Sequence, residues 1–162
     1  MFAEKENLEM GKNLYNFALS LMLVGVAALV PQSAQAQATP VGLWKTIDDE
    51  TKSEKSLVRV TEAAGVVSGR VEKLLDPTKQ DAKCNLCTDA RKDQPVAGMT
   101  IISGVKPNSD KSQWEGGEIL DPNNGKTYKV RMKPVDGGKK LEVRGYIGAP
   151  MLGRTQTWIR VE

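Results

Sequence analysis

Two cysteines stand close together as Cys84-Asn85-Leu86-Cys87, and no other residues of the chain have as much chemistry open to them. This spacing serves three chemistries. A zinc site needs four ligands. The chain has no histidine and no third cysteine, so it could hold zinc only by sharing it with another molecule. A redox pair needs its first thiol at a helix N-terminus after a buried strand, where the dipole lowers the thiol pKa. Neither flank supplies that setting. A small structural disulfide needs only an oxidising compartment. Its loop is so short that chain entropy gives it about 2 kcal/mol. The disulfide is the expected state, with the redox pair and the shared metal as the alternatives.

The rest of the chain offers little for catalysis. The absence of histidine removes the commonest general base and the commonest transition-metal ligand together. Serines and threonines therefore lack their usual partner. Asp76-Pro77 and Asp121-Pro122 read as turn formers, whose carboxylates bond nearby backbone amides. Glu115 and Glu118 flank Gly116-Gly117, which marks a bulge or sharp bend in a strand rather than a phosphate cradle. We expect no catalytic residue, no metal, no cofactor and no enzyme.

The compartment is written in the first 36 residues. Positions 17–30, FALSLMLVGVAALV, are continuously apolar, and Pro31 follows directly. Fourteen residues are too few for a spanning helix, which needs about 20. Ser33-Ala34-Gln35-Ala36 then supplies the small residues of a signal-peptidase site, so cleavage is expected after Ala36. The start before Met10 carries Glu4, Glu6 and Glu9, the wrong sign for a leader; MGKNLYN from Met10 carries Lys12 and no acid. Met10 therefore reads as the natural start. An uncleaved anchor is the alternative, and the lack of a cysteine at the cleavage point argues against a lipoprotein. The expected destination is the periplasm or the exterior, with no stable membrane span after cleavage.

Residues 37–162 carry a net charge of +4, from 21 Lys and Arg against 17 Asp and Glu. The charges are interspersed, which excludes the clustered basic footprint of a nucleic-acid binder. The length suits one domain.

The elements that must position the cysteines are strands. After a short leader at 37–40, β-type segments recur at 43–47, 57–61, 66–75, 99–103, 113–120, 126–133, 140–147 and 154–161, with turn chemistry between them. Ala63-Ala64-Gly65 joins two of them as a tight hairpin. Asp121-Pro-Asn-Asn-Gly125 and Asp136-Gly137-Gly138 form further turns. Within 126–133, Tyr128, Val130 and Met132 share one face, opposite Thr127, Lys129, Arg131 and Lys133. One buried and one wet face is the antiparallel pattern. The expected fold is all-β: a small antiparallel up-and-down barrel of about eight strands over 41–162, a sandwich being the alternative. The polar stretch 76–97, which holds both cysteines, is longer than an ordinary connection and so is functional or pinned.

Gly42-Leu43-Trp44 at the first strand, with Arg160 (or Arg154) on the last, matches the way lipocalin-like barrels are closed. There the tryptophan seals one end and a guanidinium stacks on its ring, worth about 0.5–2 kcal/mol. Together with VVSGRV, CNLC, WEGGEILDPNNGKTY and the closing LEVRGYIG and LGRTQTWIR, this resembles a family of exported bacterial proteins known as domain of unknown function two-one-four-seven. The resemblance runs from about Val41 to the C-terminus. It implies a calycin-like, lipocalin-like barrel sent to the periplasm or beyond, with the cysteine pair in its loop, and no established activity.

Two roles fit. One is a carrier of a small apolar or amphipathic ligand such as a fatty acid, held by the inward face Val58, Val60, Tyr128, Val130, Met132, Leu141, Val143 and Trp158. The other is a structural or protein-interaction module of the cell envelope, with a side-chain-filled barrel and an envelope protein as partner.

Overall fold

The structure, a computed structural model, describes residues 38–49 and 51–162. The expected leader peptide and its cleavage point lie outside the described residues. Eight antiparallel strands run in sequence order: β1 Gly42–Ile47, β2 Glu54–Ala63, β3 Val66–Leu74, β4 Thr100–Pro107, β5 Trp114–Asp121, β6 Lys126–Val135, β7 Lys140–Tyr146 and β8 Arg154–Arg160. Each pairs with its neighbour, and β8 returns to β1 through Trp44 opposite Arg160. Closure leaves no edge strand for another chain to extend. The protein is an up-and-down barrel.

Alternation decides which side chains enter. Val58 and Val60 on β2, Val130 and Met132 on β6, and Leu141 and Val143 on β7 all point inward and are buried. Trp44, Trp114 and Trp158 join them in the same buried cluster. The β2–β3 hairpin is a two-residue turn, with Ala63 opposite Val66 and positive φ at Ala64 and Gly65. Positive φ at both central residues matches the twist of the flanking strands.

Strand β4 departs from the sequence reading. It begins at Thr100 and runs through Gly104 to Pro107, four residues past the expected end. Between Val67 and Gly69 of β3, β4 advances from Val105 to Ile102, so it carries an extra residue there. Gly104 supplies positive φ for that irregularity (φ 73). A glycine with a proline three residues on reads locally as a turn, and only pairing on both sides reveals the strand.

The Gly116-Gly117 pair is a bulge. From Trp114 to Gly117 the partners move only from Met132 to Val130, so β5 carries one residue more than β6. This lets Trp114 and Gly117 both be buried despite their odd spacing. A Cβ on Gly117 would meet the backbone of β4, lying 2.6 Å from the Val105 nitrogen and also against the Ser103 carbonyl. Backbone in a closed sheet has little room to yield. Gly117→Ala should therefore cost about 3 kcal/mol, read as a lower urea midpoint with an unchanged slope. A loss under about 0.5 kcal/mol would mean that β4 and β5 can part.

The long connection from β3 to β4 is pinned along its length. Asp76 caps a short 3-10 turn, Pro77–Lys79, accepting from the Thr78 amide at 2.9 Å. Lys83 bridges to Pro95, the Cys84 amide donates to the Gln94 carbonyl at 3.0 Å, and the Val96 amide donates to Ala82 at 2.8 Å. Cys84, Cys87 and Val96 are buried in the same hydrophobic cluster as Leu120 of β5. Gly125, in the β5–β6 turn, approaches this loop closely: a Cβ there would lie 2.7 Å from the Cys87 nitrogen.

Candidate functional site at the two ends of the barrel

The first end is where β1 begins and β8 finishes. Trp44 is fully buried, and its indole N–H donates to the Pro40 carbonyl at 2.7 Å. The Arg160 guanidinium lies 4.1 Å from the centre of the Trp44 ring. It donates to four carbonyls, of Val41 at 2.8 Å, Thr39 at 2.6 Å, Glu162 at 3.4 Å and Gly138. Its partners are backbone dipoles, and burial pushes its pKa below the usual arginine value. Gly42 makes this approach possible: at φ 144, a Cβ would collide with the guanidinium and lie 2.6 Å from the Glu162 carbonyl. The structure thus gathers Gly42, Trp44 and Arg160 at one place. Arg154, the other candidate for this role, lies at the start of β8 and bonds Asp49 instead.

A small cavity of about 190 Å³ lies at this end, lined by Ala38, Thr39, Glu62, Lys111 and Trp114. None of the eight expected ligand-lining residues borders it.

The second end carries the connections 48–53, 75–99, 122–125 and 147–153. The Asp49 carboxylate accepts from Arg154 at 2.7 Å and from the Gln156 amide at 3.3 Å. The Gln156 oxygen accepts from the Trp158 indole at 3.2 Å. This chain ties the β1–β2 loop to the last strand and satisfies the buried indole. Nearby, Thr46 and Ser56, both buried, share a hydroxyl bond of 2.8 Å. Sequence reasoning missed Asp49, Gln156 and Trp114. Trp114 could have been found as the aromatic opening the WEGG strand; the Asp49 contact spans 105 positions and leaves no local signal.

Of the expected lining residues, Val58, Val60, Val130, Met132 and Leu141 have no exposed surface, and Val143 and Trp158 have almost none. Tyr128 is half-buried, and its hydroxyl accepts from the Asn124 amide at 3.0 Å.

The cysteines form a disulfide, with sulfurs 1.98 Å apart and Cα atoms 5.4 Å apart. Both are buried, and Cys84 sits beside the Lys83–Pro95 bridge rather than at a helix start. Among the described residues there is no group of three or more cysteines and acids that could hold a metal. Reducing the bond should lower stability by about 2 kcal/mol, measured by urea unfolding with and without reductant. Two free thiols titrated without reductant would contradict the pairing.

Several of the remaining acids serve turns and ion pairs. Asp76 has a pKa below the usual carboxylate value because Thr78 bonds it through hydroxyl and amide. Arg91 holds Asp89 down to about 2. Glu115 pairs with Arg131 at 3.0 Å across the outer face.

The fold has a solved counterpart. A protein of the human pathogen Helicobacter pylori, described as belonging to the lipocalin family, superposes with a TM-score of 0.66 at 24% identity. The match covers 77% of this chain and 84% of that one. No curated protein sequence matches the chain. The family model for an uncharacterized protein conserved in bacteria (DUF2147) matches residues 42–160, from the closing glycine of β1 to the arginine that ends β8, and the chain belongs to that family.

Proposed function

We propose that the protein is an exported, non-enzymatic barrel that acts as an interaction module of the cell envelope, its interior serving as a packed scaffold. One observation carries this reading: the inward face is filled by its own side chains, with Val58, Val60, Val130, Met132 and Leu141 wholly covered. Pockets for drug-sized ligands hold about 300–1,000 Å³, against about 190 Å³ for the cavity at the first end. Export is supported by the apolar run at 17–30, the Ala34 and Ala36 spacing, and a disulfide that suits an oxidising compartment.

The contact surface lies at the second end, where Leu86, Ile147, Met151 and Leu152 are exposed on loops. Arg144 preforms the 147–153 loop by donating to the Pro150 carbonyl at 2.6 Å and to Met151 at 3.2 Å. A rigid apolar loop suits a protein partner, because little entropy is lost on docking. A photocrosslinker at Leu152, used in cells, should trap one discrete envelope protein. The pair Met151→Asp and Leu152→Asp should abolish a crosslink made from Leu86. An adduct pattern no different from that of a probe on the outer β6 face would sink this reading.

The second reading is a small amphipathic ligand such as a fatty acid, and the half-buried Tyr128 and Gln156 favour the second end for it. The likeness to a barrel described as lipocalin-family keeps it in view. Native mass spectrometry of gently purified protein decides: a bound lipid, or uptake of a fluorescent fatty acid, overturns the filled-interior reading.

A further inference from the structure

The turn between β5 and β6 carries chemistry that neither closure nor packing uses. Asn124-Gly125 is the one Asn-Gly step in the chain. The backbone nitrogen that follows an asparagine can attack that residue's own side-chain amide, and a glycine, having no Cβ, hinders the attack least. Here both reacting groups are engaged elsewhere. The Gly125 N–H donates to the Asp121 carbonyl at 2.9 Å. The Asn124 amide nitrogen donates to the Asp121 carboxylate at 3.2 Å and to the Tyr128 hydroxyl at 3.0 Å. Its oxygen accepts from the Lys126 backbone amide at 2.9 Å. The side chain is thus held in place while the turn stays folded, yet Asn124 is exposed and open to water.

We propose that Asn124 is a latent self-modification site, silent in the folded turn and active when the turn opens. The freed Gly125 nitrogen gives its proton to solvent and bonds to Asn124 Cγ as the Cγ–Nδ2 bond breaks, and the side-chain nitrogen leaves as ammonia. Water then opens the resulting succinimide at either carbonyl, leaving aspartate or isoaspartate with no change of oxidation state. Neither product rebuilds the turn. Aspartate sets a second carboxylate where Asn124 donated to Asp121, and like charges at that range repel. Isoaspartate adds a methylene to the backbone at a crowded place, where even a Cβ on Gly125 would lie 2.7 Å from the Cys87 nitrogen. Conversion therefore pushes the turn off the Cys84–Cys87 ring and permanently marks each molecule that has opened. Leu86 lies within that ring and is exposed, so the mark reaches the contact surface; this last step alone rests on the interaction-module reading.

The test incubates the protein, disulfide intact, in mildly alkaline buffer, both folded and in guanidinium chloride. Conversion of Asn124 is followed by peptide mass, and the isoaspartyl product by its separate elution. Conversion in denaturant should run about thirtyfold faster than in the folded protein, since every restraining bond is lost together. Tyr128→Phe removes one of those bonds, and its folded form should convert about threefold faster than the unaltered protein, with equal rates in denaturant. A folded rate equal to the denatured one overturns the proposal, and so does a folded Tyr128→Phe variant that converts no faster. The converted protein, separated by its added negative charge, should exchange the Cys84 and Cys87 amide protons, both hydrogen-bonded in the loop, faster than the unconverted form. Asn124→Asp should do the same. Unchanged exchange there in both overturns the displacement of the turn. None of these measurements needs a partner, so their failure is distinct from a failed crosslink at the contact surface.

Discussion

Replacing Arg160 by Met should lower the unfolding free energy by about 3 kcal/mol, the largest loss expected from any side chain in contact with solvent. Methionine keeps the apolar stem against Trp44, so packing changes little. What disappears is the stacked cation, worth about 0.5–2 kcal/mol, and the donors that satisfy the carbonyls of Val41, Thr39 and Gly138. Two of those carbonyls precede β1 and the third belongs to the β6–β7 turn, so one side chain joins three segments. Burial lowers the pKa of this guanidinium, but an arginine starts so high that it stays charged at any working pH. The loss should accordingly be flat from about pH 5 to 9. Urea unfolding at both limits measures it. A loss below about 1 kcal/mol would show that the end is closed by Trp44 alone.

Leu141→Ala should cost about 3–4 kcal/mol and at the same time create a binding site. Leu141 has no exposed surface and lies opposite Trp158 on one side and Pro134 on the other. Truncating a large side chain in a packed interior removes its transfer energy and leaves a void that the rigid sheet cannot collapse. Dry apolar voids of that kind accept benzene. Benzene should therefore raise the melting temperature of the variant, by linkage, and leave the unaltered protein unchanged. If benzene stabilises the unaltered protein as strongly, the barrel already holds space, and the carrier reading gains over the scaffold.

The strands with clean alternation were readable from the sequence because a half-buried strand writes period two directly. Residues 126–133 show this: Val130 and Met132 are inward, while Lys129 and Lys133 are exposed. The tight hairpin at Ala64-Gly65 and the bulge at Gly116-Gly117 were also legible, since both rest on local backbone geometry. Alternation could not say whether the inside is empty. It sorts side chains into inner and outer sets, whereas occupancy depends on the summed volume of residues from all eight strands. Trp114 and Ile102, which share the interior, lie on the segments read at 113–120 and 99–103, where no clean alternation assigned an inward face. The contacts of Asp49 with Arg154 and Gln156 lay beyond reach for a different reason. They are made by closure, which brings a loop after the first strand to the last one.

The same closure has a mechanical side. β1 and β8 meet antiparallel at the first end, with Trp44 opposite Arg160 and the Val161 amide donating to Leu43 at 2.8 Å. Residues 38 and 162 thus leave the barrel side by side. A force drawing those two ends apart would load the seam bonds one at a time, as a zipper is opened, instead of shearing them together. The barrel should yield to tension on its termini well before its resistance to heat or urea would suggest, with the Arg160 stack as the first catch to give way.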